Sequence, residues 1–140
     1  MLPNLENCFL DHIAIAVEDL EKSVEIFTNL GLEFSSEREV VEEQKVKTAF
    51  AHIDTHAHIE LLEPTSEEST IHKFIQKNGP GIHHMCFRVP NVVSRQKELT
   101  DKGFRFIYDK PVKGAGGCLV NFIHPKSTGG ILIEISEKLK

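Results

Sequence analysis

Two histidines and two glutamates recur at matched places in this chain. His12 and His84 lie 72 positions apart, and Glu60 and Glu134 lie 74 apart. Imidazole nitrogens and carboxylate oxygens together form a donor set for a divalent first-row metal such as cobalt, manganese, nickel, iron or zinc. Four such ligands leave two positions of an octahedral ion open, which a bidentate substrate could fill. Taken alone, a strand histidine is ordinarily a structural residue, and a strand glutamate can sit on a solvated edge. A glutamate interrupting an apolar strand is more telling, because an unpaired buried carboxylate is costly and is normally paired or bound to metal.

What links the four is a repeat. Asp11-His12-Ile13-Ala14-Ile15-Ala16-Val17 and Gly81-Ile82-His83-His84-Met85-Cys86-Phe87-Arg88-Val89 both read as strands. Successive strand side chains point to opposite faces. His84, Cys86 and Arg88 therefore share one face, while Met85, Phe87 and Val89 share the other; His12, Ala14 and Ala16 likewise oppose Ile13, Ile15 and Val17. The same 72-residue spacing relates Asp19 to Asn91, Gly31 to Gly103 and Phe34 to Phe106. Two copies are too few for a stacked array, so two modules closed against each other are expected.

The elements that must position these residues follow in order. Asp19 is a helix N-cap, followed at helical spacing by Leu20, Val24, Phe27 and Leu30, with Gly31 as the stop. The charged stretch from Glu37 to Lys47 reads as a strand edge or a loop. Strands then run from Val46 to Ile53, with Val46, Thr48, Phe50 and His52 on one side, and from His56 to Leu62, with His58, Glu60 and Leu62 on one face. Pro64 ends the ladder. Residues 65–80 form a polar linker with a short helix on Ile71, Phe74 and Ile75. The second half repeats the order: a strand to Val89, a helix from Asn91 through Val92, Val93, Gln96 and Leu99 to Gly103, and an extended piece from Phe104 to Tyr108. A glycine-rich turn, Gly114-Ala115-Gly116-Gly117, then leads to a closing hairpin of Leu119 to His124 and Ile131 to Ser136.

The expected fold class is therefore α+β, a single domain over 1–140. It comprises two paired βαβββ modules, 8–64 and 81–137, whose sheets join into one curved mixed sheet around a metal-binding cavity. His83 points away from His84 and is expected to be structural or supporting. His52, His56, His58 and His72 are expected at the surface. The glycine-rich turn matches neither the dinucleotide nor the P-loop pattern and reads as a hairpin turn.

Bulk properties exclude several classes. At 140 residues the chain can bury about two-thirds of its unfolded surface without disulfides or a structural metal. A net charge of -5 argues against a generic nucleic-acid surface. The three cysteines, Cys8, Cys86 and Cys118, show no CxxC spacing, so neither a disulfide framework nor a thiolate zinc site is indicated. The N-terminus has no basic apolar run of the signal-peptide kind, and no apolar stretch approaches the roughly 20 residues that span a bilayer. A cytoplasmic protein without membrane or nucleic-acid partners is expected.

Several motifs carry a resemblance over nearly the whole chain: Asp11-His12-Ile13-Ala14, Glu43-Gln44-Lys45-Val46, Glu60-Leu61-Leu62-Glu63-Pro64, Gly81-Ile82-His83-His84-Met85, and Asn121-Phe122-Ile123-His124-Pro125-Lys126 leading to Gly130-Ile131-Leu132-Ile133-Glu134. With them the sequence resembles the vicinal-oxygen-chelate (glyoxalase/bleomycin-resistance/dioxygenase) superfamily, and within it the methylmalonyl-CoA epimerases. The resemblance implies His12, Glu60, His84 and Glu134 as ligands of a divalent ion, cobalt first, with manganese, nickel or zinc as alternatives. It also implies an acyl-CoA substrate contacted by Gln44 and Lys126, and a homodimer. The implied reaction interconverts the C2 epimers through an enolate whose charge the metal stabilises. Some members carry a glutamate base where Thr48 stands here, and a threonine hydroxyl is a poor base. The acid/base candidates are therefore Glu134 while ligated, Glu43, Lys47 and Thr48. Lys45 stands where the family commonly has glycine.

Three rivals share the fold. A lactoylglutathione lyase can use the same ligands, but His124-Pro125-Lys126 followed by Gly129-Gly130 is more epimerase-like than the Asp-Pro-Asp-Gly ending common in lyases. An extradiol dioxygenase needs open the place that Glu60 would fill. A metal-free binding module needs no ligand set at all.

Overall fold

The structure, a computed structural model, describes residues 8–140. By compactness the chain divides into two units, His12–His83 on the one hand and the chain up to Asp11 with His84–Lys140 on the other. In chain order the elements are β1 (Phe9–Ala16), α1 (Leu20–Asn29), β2 (Glu39–Val41), β3 (Val46–His52), β4 (His58–Pro64), α2 (Thr70–Asn78), β5 (Gly81–Arg88), α3 (Val92–Asp101), β6 (Val112–Gly114), β7 (Cys118–Ile123) and β8 (Ile133–Lys138). Each half thus runs strand, helix, three strands, as the repeat requires. The strand order is β2-β3-β4-β1 in the first half and β5-β8-β7-β6 in the second. β1 lies parallel to β4 and β5 parallel to β8, while the remaining pairings within each half are antiparallel.

The two main helices begin and end by the same chemistry. The Asp19 carboxylate accepts from the Lys22 amide and the Asn91 side chain from the Ser94 amide, so one orphan donor of each first turn is satisfied. After each helix a glycine adopts positive φ, Gly31 at 110° and Gly103 at 99°. A side chain would be strained there. The buried side of α1 packs on one face of its sheet, where Val17, Leu20, Ala49 and Leu61 form a core with Ile15, Val24, Phe27, Phe34 and Ile59. In the other half Val89, Val92 and Ile135 pack with Cys8 and Phe106. The opposite face of each sheet carries His12 and Glu60 in the first half and His84 and Glu134 in the second.

Local differences from expectation have simple causes. The charged stretch 37–47 resolves into the edge strand β2, a turn over 42–45 and the start of β3. Lys45 closes that turn with φ 54°, the left-handed conformation that glycine adopts without cost. The linker carries α2, capped by Ser69, and tethers the turn: Ser69 Oγ donates to the Gln44 carbonyl, the Thr65 amide donates to the Lys45 carbonyl, and Lys45 pairs with Glu68. That ammonium holds the Glu68 carboxyl below its ordinary range. The last strand starts at Ile133 rather than Ile131, and the strand after α3 is β6, not residues 104–108, where Phe106 makes an isolated bridge to Ile123. The glycine-rich turn is dictated by packing. A Cβ on Gly114 would lie 2.9 Å from Val120 Cγ1, too close for any side chain, and the chain then bends through Gly116 and Gly117 at positive φ.

Candidate metal centre

In the first half the parallel register sets Ala14 opposite Glu60 and His12 opposite His58, and the antiparallel register sets Phe50 opposite Glu60. His12 and Glu60 therefore share the sheet face away from α1. Their Nε2 and Oε2 atoms are 3.1 Å apart, with both side chains only 8% exposed. The second half repeats this pattern position by position. Cys86 and Phe122 lie opposite Glu134, and His84 precedes Cys86 by two residues on the same face. His84 Nε2 and Glu134 Oε1 are again 3.1 Å apart, at 6% and 8% exposure. The Phe122 ring meets His84 edge-on at 5.4 Å, which fixes the imidazole plane.

These pairs fit a divalent cation. Donors bound at about 2.0–2.2 Å and at right angles around an ion are about 3.0 Å from each other, close to what each pair shows. Where the carboxylate is ionised it only accepts, and the imidazole Nε2 is then the donor of the proton between them. A metal taking that place must displace it. Buried imidazole and carboxylate donors on strands, locked by neighbouring side chains, are what an oxygen- and nitrogen-liganded ion needs.

Other residues singled out by sequence fall variously. The Thr48 side chain is on the His12–Glu60 face, wholly buried, with its hydroxyl donating to the Glu39 carbonyl at 3.3 Å. Lys47, an acid/base candidate by sequence, is half-buried in β3. It lies opposite Glu63, whose carboxylate receives the Leu20 amide at the start of α1, so strand alternation turns Lys47 to the helix-bearing face. Glu43 is exposed and Gln44 half-buried in the turn 42–45, and Lys126 is exposed in a short 3₁₀ turn, Pro125–Ser127. His83 meets Phe74 of α2 edge-on, a packing role.

His58 departs from its expected place at the surface. It is half-buried, with its ring 5.1 Å from His12 and 5.1 Å from Phe50. The signal was present, since His58 and Glu60 alternate onto one face of one strand. In the second half, sequence reasoning missed a polar cluster beneath the pair. Arg88 Nε donates to Ser136 Oγ at 3.0 Å, Arg88 Nη2 donates to Asp11 Oδ1 at 2.8 Å and reaches Cys118 Sγ at 3.5 Å, and Cys86 Sγ donates to Ser136 Oγ at 3.3 Å. Burial pushes the Cys118 thiol up, against the opposing influence of Arg88, so it is an inert thiol near neutrality.

Comparison with known proteins shows the family. The family model of the Glyoxalase/Bleomycin resistance protein/Dioxygenase superfamily matches residues 11–122. The mitochondrial methylmalonyl-CoA epimerase of Dictyostelium discoideum is 38% identical over 131 residues, covering 92% of this chain and 78% of that protein. Among solved structures, the hypothetical protein BH1468 from Bacillus halodurans C-125 superposes with a TM-score of 0.91 at 43% identity, covering 96% of this chain and 97% of that one. A variant of Streptomyces coelicolor methylmalonyl-CoA epimerase in complex with 2-nitronate-propionyl-CoA superposes with a TM-score of 0.88 at 37% identity, covering 94% and 97%. The chain belongs to the Glyoxalase/Bleomycin resistance protein/Dioxygenase superfamily and to its methylmalonyl-CoA epimerase family.

Proposed function

We propose that the protein interconverts the (R) and (S) C2 epimers of methylmalonyl-CoA, with His12, Glu60, His84 and Glu134 holding one divalent ion. The observation that carries this reading is the twofold occurrence of a buried imidazole–carboxylate pair at 3.1 Å, in a chain similar to epimerases over most of its length. Cobalt is the favoured ion, with manganese, nickel or zinc also compatible with the donors. When bound, such an ion supplies Lewis acidity worth several kcal/mol on an oxygen that gains charge.

The chain's own groups must move the proton. Epimerisation removes hydrogen from one face of C2 and returns it to the other, so a carboxylate must accept a proton and a second group must donate one. Glu134 and Glu43 take these roles; Thr48, whose hydroxyl is directed at the Glu39 carbonyl, does not. A positioned base contributes about 10²–10⁴-fold, short of the at least roughly 10⁶ typical of enzymes. Charge stabilisation by the bound ion must therefore contribute too. Gln44 and Lys126 contact the acyl-CoA, and the working form is a homodimer in the cytoplasm.

The test follows deuterium exchange at C2 of methylmalonyl-CoA in heavy water, with hemithioacetal turnover as a control. Exchange that disappears when metal is stripped and returns with cobalt is expected. Full exchange by metal-free protein, or turnover of the hemithioacetal alone, would overturn the reading.

A further inference from the structure

We infer that Arg88 is a positioning residue for the metal ligands, a node that sets the spacing of the strands bearing His84 and Glu134. This rests on the ligand set proposed above. Arg88 follows His84 by four residues on the same face of β5. Its Nε bonds Ser136, two residues beyond Glu134 on β8, and its Nη2 bonds Asp11, the residue immediately before His12. One guanidinium thus ties the strand of His84 to the strand of Glu134 and to Asp11. Both acceptors are buried, Asp11 at 7% and Ser136 at 2% exposure. The guanidinium is planar and rigid, so the separation of its acceptors is set by its fork and not by rotamer choice.

The first half shows that this cluster is not needed to build such a sheet. At the places corresponding to Arg88, Cys86 and Ser136 it has Ala16, Ala14 and Leu62, all buried and apolar. A partly buried ion pair contributes no more stability than well-packed apolar residues of similar volume. What it adds is a defined geometry, and ligand groups must be held to within about 0.5 Å for a selective site.

Metal-free protein is titrated with Co²⁺, reading the d–d absorption band and the binding constant for wild type, Arg88→Lys, Ser136→Ala and Asp11→Asn, with Tm recorded for each. Wild type is expected to bind one ion per chain. Arg88→Lys, which keeps the charge and loses the fork, should bind it about 10- to 100-fold more weakly with a displaced band. Ser136→Ala and Asp11→Asn should shift both readouts in the same direction by less, and they decide the matter if Arg88→Lys does not fold. Variants with lowered Tm but wild-type Co²⁺ affinity and spectrum well below Tm make the cluster a staple of the fold only, and overturn the inference while leaving the ligand set standing. A wild type that binds no Co²⁺ overturns both.

Discussion

The two halves hold the same pair of donors in the same way and differ in the layer next to it. His12, Glu60 and Phe50 correspond to His84, Glu134 and Phe122, down to strand register and the 3.1 Å contact. One layer further along the face, Ala14, Ala16 and Leu62 stand at the places of Cys86, Arg88 and Ser136. On the helix side, Ala49 sits in an apolar core with Leu20 and Leu61. Its counterpart Asn121, equally buried, accepts from the Tyr108 and Phe122 amides and donates to Gln96 and the Tyr108 carbonyl. On this face the donor pair and its neighbouring phenylalanine are held in common. The scaffold below them was free to become apolar in one copy and a hydrogen-bonded network in the other.

That comparison breaks most visibly at the carboxylates. Glu60→Ala and Glu134→Ala should each lose bound metal and lower epimerisation at least about 10³-fold, checked by metal analysis and the heavy-water assay. The conservative changes should separate the halves. Glu60→Gln is expected to keep part of the metal and turnover, whereas Glu134→Gln should lose a further factor of about 10²–10⁴ because it removes the proton acceptor. Equal losses would make the two halves equivalent in the chemistry as well as in the ligation.

A smaller effect distinguishes the two scaffolds. Asn121→Ala leaves the Tyr108 and Phe122 amides and the Gln96 side chain short of a partner, and should cost about 3 kcal/mol in urea unfolding. Ala49→Asn, which puts an amide into an apolar core, should cost a similar amount; a neutral result at either site would mean the two cores are interchangeable. Phe122→Leu should weaken metal binding by roughly 1 kcal/mol through loss of its edge-on contact with His84. Phe50→Leu should affect it less, since that ring lies against His58. The smallest change is Lys45→Gly. Relief of about 1 kcal/mol of left-handed strain is opposed by the extra entropy of an unfolded glycine and by loss of the exposed pair with Glu68, so Tm should move by no more than a few degrees.

Legibility followed the range of the interaction. Strand alternation and helix caps are local, so the faces carrying His12, Glu60, His84 and Glu134, the caps at Asp19 and Asn91, and the stops at Gly31 and Gly103 could all be read along the chain. The place of Lys47 depended on alternation in β3 together with where α1 packs, and only the second of these was missing. His58 was misplaced because a histidine opening a strand after a polar turn has the composition of a surface residue, while its burial comes from a neighbouring strand. The charged segment 37–47 hid β2 because an edge strand is paired on one side and tolerates polar residues on both faces.

Amino-acid order alone determined that there are two copies of one module, each offering one imidazole and one carboxylate on a shared face, because side-chain direction in a strand is set by parity. Only the tertiary structure decided which atoms meet. The pairing of β1 with β4 and of β5 with β8 joins strands separated by a helix and other strands, and no local rule sets the register that brings an imidazole to 3.1 Å from its glutamate. The link from Arg88 to Asp11 spans 77 positions, a distance in sequence over which parity and propensity carry no information.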